Sequence, residues 1–281
     1  MSSYRFCRTD DVSLLVEALN RCWSPHFPDE PAITPASFKR SIRDLQVWCS
    51  SCMVAFQGSD PIAVSIGAKR PSGTLIHKIA VHPDHCRQGH GRHLLTSLSS
   101  KLSILGPPRM IAEVPETLGP ACELFRACGY VQEALLTDYV ADGKDDPVAE
   151  VAAGRFVIPV TVDDLEANGL LGDSQQHVCW ERAVETLAAR KDELQGLAMA
   201  SDERIEASVL CSGDEILSFR SFIEDGGAGL KQLLSHLRAQ GMRTFRFPKV
   251  HPAEISKEFL ETLGFRSAGG HALYAAKARS D

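Results

Sequence analysis

The stretch 82–95, "HPDHCRQGHGRHLL", holds His82, His85, Cys86, His90 and His93 within twelve residues, with Gly89 and Gly91 just ahead of an apolar-periodic run. Imidazoles and a thiol are metal-ligand types, and on a helix His90 and His93 stand one turn apart and can converge. A metal site has no use for the glycines. A strand, a glycine turn and a helix N-terminus instead offer unpaired backbone N–H groups and the positive end of a helix dipole to an anion. Gly89 and Gly91 let the backbone come close to phosphates, and Arg87 and Arg92 add charge. The phosphate cradle accounts for more of these residues than the metal site does, so no metal is expected.

The elements that must hold this stretch follow from periodicity. "YRFCRT" reads as a strand, and "DDVSLLVEALNRCW" as a helix with Val12, Leu15, Val16 and Leu19 on one face. "SPHFPDEPAITP", with four prolines in twelve residues, must be a loop. "ASFKRSIRDLQ" is a second helix, and "VWCSSCMVAFQ", "PIAVSIGAKR" and "TLIHKIAV" are three strands. A strand over 48–56 sets Cys49 and Cys52 on opposite faces, which makes "WCSSC" a pair of buried thiols rather than a metal clip. The helix starting near Gly89 carries a stripe of Leu94, Leu95, Leu98, Leu102 and Leu105. "RMIAEV" gives a strand, "GPACELFRACGY" a helix closed by Gly129, and "VQEALLTDYV" a strand.

"ADGKDDPVAEVAAG" reads as a linker, after which the outline recurs. "WERAVETLAARK" is a helix, and "LQGLAMA", "RIEASVLC" and "EILSFRSFI" are strands. "GLKQLLSHLRAQ", "MRTFRFPKV", "AEISKEFLETLGF" and "RSAGGHALYA" follow as helix, strand, helix, strand. "LLTSL" before "CGY" in the first half matches "LLSHL" before "LGF" in the second, which points to a duplication. The expected domains are 1–141 and 155–281, joined by a linker over 142–154.

A chain of 281 residues, 44% hydrophobic and 23% charged, has room for two such domains. Its net charge of -6 gives no general attraction to nucleic acid or anionic lipid. "MSSYRFCRTDDVSLL" lacks the apolar core of a secretory signal, and no apolar run reaches the length of a membrane span. A cytoplasmic protein with neither nucleic-acid nor membrane partners is expected. Nine cysteines, an odd number at scattered positions, are expected as reduced thiols.

"IAVHPDHCRQGHGRHLLTSL" resembles the acetyl-CoA signature of the GCN5-related N-acetyltransferase (GNAT) superfamily: a strand ending in xVxP, then R/Q-x-x-G-x-G/A, then a helix with a leucine pair. "ACELFRACGY" resembles the family's later helix, AxxLYxxxGF, and the likeness covers residues 4–140. It implies an α/β fold, an α+β mixed sheet, with two tandem GNAT-like domains. Each would be a mostly antiparallel sheet flanked by helices, the second of them degenerate. It implies acetyl-CoA as co-substrate. Ile79, Ala80 and Val81 would hold its pantetheine arm through the backbone where the sheet splays. The amides of Arg87, Gln88, Gly89, His90, Gly91 and Arg92 would hold its pyrophosphate. Cys86 stands where the family writes Arg or Gln.

The activity so implied is acyl-CoA-dependent N-acyl transfer, with acetyl passing by direct attack to a primary amine on a small molecule or peptide. An amine with a pKa near 10 is mostly protonated at neutral pH, so a base is required. His77 is the first candidate. Strand alternation puts it on the face of Leu75 and Ile79, and some superfamily members use a histidine at the matching position. Glu113 in the neighbouring strand is the second. The family's proton-donating tyrosine falls on Phe125, which has no proton to give. Tyr130 and Tyr139 lie nearby in sequence, and Tyr139 is taken as the candidate donor. Trp23, His26 and Phe27, in the loop between the first two helices, are candidate walls of the substrate pocket. In the second half, "FIEDGGAGLKQLL" lacks the xVxP and puts Glu224 and Asp225 where phosphates would be repelled. That copy is expected to bind no CoA and to extend the sheet, shape the cleft or form a homodimer. The competing reading is a non-catalytic CoA-binding regulatory or scaffold protein.

Overall fold

The computed structural model describes residues 2–142, 154–171 and 178–279. The chain forms two units, Met1–Ala134 with Ala272–Asp281, and Leu135–His271.

Unit 1 runs through β1 (Ser2–Phe6), α1 (Val12–Cys22), α2 (Pro35–Leu45), β2 (Met53–Gln57), β3 (Asp60–Arg70), β4 (Gly73–Val81), α3 (His90–Leu105), β5 (Arg109–Pro115) and α4 (Gly119–Ala127). Its strands lie in the order β1-β2-β3-β4-β5. The first four are antiparallel, and β4 to β5 is parallel. Met110, Ala112 and Val114 alternate inward along β5 onto the leucine stripe of α3, the period of two that a half-buried strand requires. Leu94, Leu95, Leu98 and Leu102 are buried as the stripe predicts, but Leu105 is 63% exposed, because the helix ends there.

Unit 2 contains the end of β6 (Val131–Asp142), then β7 (Arg155–Pro159), α5 (Val162–Ala167), α6 (Val184–Ala189), β8 (Gln195–Ser201), β9 (Ile205–Ser212) and β10 (Glu215–Ser221). It continues with α7 (Ala228–Ala239), β11 (Thr244–Val250), α8 (Lys257–Thr262) and the start of β12 (Arg266–Lys277). β7 to β10 are antiparallel neighbours, and β10 pairs β11 in parallel. The second copy thus repeats the order of the first. Both units are mixed, mostly antiparallel sheets flanked by helices, the α/β class that the resemblance implies. Among the described residues no helix is long and apolar enough to cross a membrane.

Four local expectations are corrected. Residues 272–281 belong to unit 1: Ala272, Tyr274 and Ala278 are buried in its core, and the Ala278 N–H donates to the Pro108 carbonyl at 2.6 Å. β7 and α5 went unread, although Thr161 and Asp164 form a reciprocal capping box that the spacing T-x-x-D signals. "WERAVETLAARK" is not one helix, because Ala183, extended at φ -65 and ψ 156, separates the 3-10 turn Trp180–Arg182 from α6. Cys49–Ser51 is likewise a 3-10 turn, so no strand sets Cys49 and Cys52 on opposite faces. Both thiols are free and buried. Of the expected linker, 143–153 lies outside the described residues.

Candidate active site

The site begins where two parallel strands part. β4 and β5 pair at Thr74↔Met110 and Leu75↔Ile111, near the start of both strands, and part beyond. A cleft of about 740 Å³ occupies the gap, within the size range of small-molecule and cofactor sites. Ile79, Ala80 and Val81 line one wall, and Glu113, Val114 and Pro115 the other. On its far side β4 carries a bulge: Lys78 opposes Ile66 and Ile76 opposes Gly67, leaving His77 as the extra residue. A bulge breaks strict alternation and re-aims side chains. Accordingly Ile76 and Ile79, three apart, pack on one cluster without Leu75, so the alternation used to place His77 does not hold across the bulge. His77 and Glu113 nevertheless both line the cleft.

The cradle closes one end. Gly89 caps α3 in the left-handed region at φ 88, and no atom lies within 4 Å of where a Cβ would stand. Arg87 is also left-handed, at φ 62, a conformation costly to a side-chain-bearing residue and typical of functional loops. The first helical bond runs from the His93 N–H to the Gly89 carbonyl at 3.0 Å. The amides of Gly89, His90, Gly91 and Arg92 therefore precede the helical ladder, and each of these residues borders the cleft. Gly91 answers a different need: a Cβ there would stand 3.0 Å from Leu124 Cδ2 on α4. Gln88 is absent from the lining, and its side-chain amide donates to the Asp84 carbonyl at 3.3 Å.

The histidines have separate occupations. His90 is buried and hydrogen-bonds the Tyr4 hydroxyl through Nδ1 at 2.7 Å, while the His93 ring lies 3.7 Å from that of Tyr4. Burial, then the nearby His85 and His93, lower the His90 pKa. Among the described residues no three His, Cys, Asp or Glu side chains are grouped to hold a metal ion.

The expected proton donor is not in the cleft. Tyr139 is buried in the core of unit 2, where it pairs with Phe247. The buried Tyr130 hydroxyl donates to Met110 Sδ at 3.8 Å, and desolvation raises its pKa. Phe125 lines the cleft, edge-on to Tyr130 and stacked on Tyr274. The Cys86 thiol is exposed at the cleft edge and donates to the carbonyls of Val81 and His82 at 3.7 and 3.6 Å.

Trp23, His26 and Phe27 border the cleft. His26 Nε2–H donates to the Val81 carbonyl at 2.7 Å, tying the loop to the end of β4. The rings of Trp23 and Phe27 stack at 4.3 Å, and the Trp23 indole N–H donates to Glu30 at 3.0 Å. The Lys78 ammonium lies 3.8 Å from the Trp23 ring centroid and 4.0 Å from the Glu30 carboxylate. Lys78 and Glu30 were missed because neither belongs to a motif, and only the folded loop brings them to Trp23.

Residues 12–130 match the family model of the Acetyltransferase (GNAT) family. The segment that builds this cleft is therefore similar to GNAT acetyltransferase domains. The whole chain is similar to a tandem GNAT protein from the clavulanic acid biosynthesis pathway, at 16% identity, TM-score 0.69 and 100% of both chains. It is also similar to a GCN5-related N-acetyltransferase from Sphaerobacter thermophilus, at 14% identity and TM-score 0.69, over 99% of this chain and 96% of that one. A GCN5-related N-acetyltransferase from Anabaena variabilis ATCC 29413 shares 11% identity at TM-score 0.65, over 99% and 73%. At these identities the likeness is one of fold, and the fold is that of tandem GNAT proteins. No curated protein sequence matches the chain.

Proposed function

We propose that unit 1 transfers an acyl group, acetyl in the first instance, from its CoA thioester to a primary amine by direct attack. The observation that carries this reading is the coincidence of two features on one cleft: the parting of β4 from β5 and the uncapped amides at Gly89. The first suits the amide-bearing pantetheine arm, and the second suits a pyrophosphate. Holding by main-chain amides also explains how Cys86 can replace the family's Arg or Gln.

His77 or Glu113 takes a proton from the acceptor ammonium. The free amine attacks the thioester carbonyl, the tetrahedral intermediate expels the CoA thiolate, and the proton that the new amide nitrogen sheds passes through water to the thiolate. The acceptor enters past Trp23, His26 and Phe27. Nine free cysteines fit work in a reducing compartment such as the cytoplasm.

Calorimetric titration of acetyl-CoA into wild type and Gly89→Ala, followed by thiol release with an amine panel, tests the proposal. Binding at one site per chain is expected, weakened about tenfold or more in the variant as Ala abandons the left-handed turn and its amides rotate away. No binding by the folded wild type would refute it. The lining of the cleft by Phe125 rather than a tyrosine favours a second reading, a CoA-binding protein without catalysis. Tight binding with no thiol release across the panel would establish that one instead.

A further inference from the structure

Unit 2 carries the same loop in the same place. Residues 224–229 follow β10 as 86–91 follow β4, and both loops end on a left-handed glycine capping the leucine-bearing helix, at φ 88 for Gly89 and φ 82 for Gly227. β10 and β11 pair at Glu215↔Arg246 alone, so the strands part as β4 and β5 do.

What occupies the loop differs. At the position matching Arg87 stands Asp225, whose carboxylate accepts from the Gly227 N–H at 2.9 Å and the Gly229 N–H at 2.7 Å. Its main-chain carbonyl accepts from the Ala228 N–H at 3.3 Å. The corresponding amides of unit 1 have no side-chain acceptor among the described residues. Gly89 is exposed with open space around it, whereas Gly227 is buried, and a Cβ on it would stand 2.8 Å from the Phe259 ring and 3.1 Å from Leu263. A buried ion pair lies against β11 as well. Arg182, from the turn Trp180–Arg182, is fully buried and donates to both Glu254 oxygens at 2.7 and 2.6 Å and to the Lys249 carbonyl at 3.2 Å. Its guanidinium lies 4.5 Å from the Phe247 ring centroid on β11.

We infer that unit 2 retains a cofactor cradle closed by its own side chains. The Asp225 carboxylate stands in for a phosphate on the helix amides, Phe259 covers the loop, and the Arg182–Glu254 pair lies buried against β11. Like charge and lost space then exclude CoA together, and the chain holds one cofactor, in unit 1. The count of one rests on the function proposed for unit 1; the closure of unit 2 does not.

Native mass spectrometry of the full chain with acetyl-CoA, for wild type and Gly89→Ala, tests the count. Amide hydrogen exchange without cofactor, for wild type, Asp225→Asn and Asp225→Ala, tests the closure. One bound acetyl-CoA in wild type, weakened in Gly89→Ala, is expected. The Gly227 and Gly229 amides should exchange about tenfold faster in Asp225→Ala, with Asp225→Asn between. A second bound acetyl-CoA, or one held undiminished by Gly89→Ala, would overturn the inference. So would equal exchange at the two amides in wild type and Asp225→Ala. A wild type that binds none defeats the proposed function instead, and the exchange of Gly227 and Gly229 then decides the closure alone.

Discussion

His77 and Glu113 reach one cleft from two different strands, and only kinetics separates them. If the proposed transfer runs through one of them, its replacement by Gln should lower kcat about 10²- to 10⁴-fold and remove the acidic limb of the kcat/KM profile against pH. The other replacement should leave that limb in place, so the pH profiles of His77→Gln and Glu113→Gln assign the role. His90 yields a stability prediction with a definite sign. Burial depresses its folded pKa, so as pH falls below the unfolded value near 6.5 the unfolded chain takes the proton first. Stability is full above that value and drains away as pH drops toward the folded pKa. Melting curves between pH 8 and pH 5 should fall less steeply for His90→Gln than for wild type.

The two cradle glycines separate at the scale of elements. Gly89→Ala meets no atom but is forced to φ 88, a strain of about 1–2 kcal/mol. Gly91→Ala presses on the flexible end of Leu124, while Ala gains up to about 1 kcal/mol over Gly in a helix. Thermal denaturation should show Gly89→Ala clearly destabilised and Gly91→Ala close to wild type. The same elements show why the sequence was readable where it was. The cradle and the leucine stripe of α3 are local patterns, so glycine spacing and helical period sufficed to locate them. The bulge at His77 depends on pairing with β3, which no periodicity in β4 reveals. The burial of Tyr139 depends on its β11 neighbour, more than a hundred residues away in the chain. Duplication was legible for a simpler reason, since each copy repeats the leucine pair ahead of the same helix ending.

At the scale of the molecule, the core of unit 1 is completed from the far end of the chain. Tyr274 is fully buried there and stacks on Phe125 at 5.9 Å. Tyr274→Ala should cost about 3–5 kcal/mol, read as a fall in the unfolding midpoint. A chain truncated before Ala272 should lose the cooperative transition of unit 1 altogether, although every residue lining the cleft would still be present. This has a bearing on synthesis. A polypeptide emerging from the ribosome presents β4, the glycine turn and α4 early, yet Tyr274 comes only after the whole of unit 2 has been made. Until then the inner face of Phe125 lacks its covering ring, and the nascent first unit waits with part of its interior exposed. Domains commonly fold one after another as they emerge; here the first to be translated is the last to be finished.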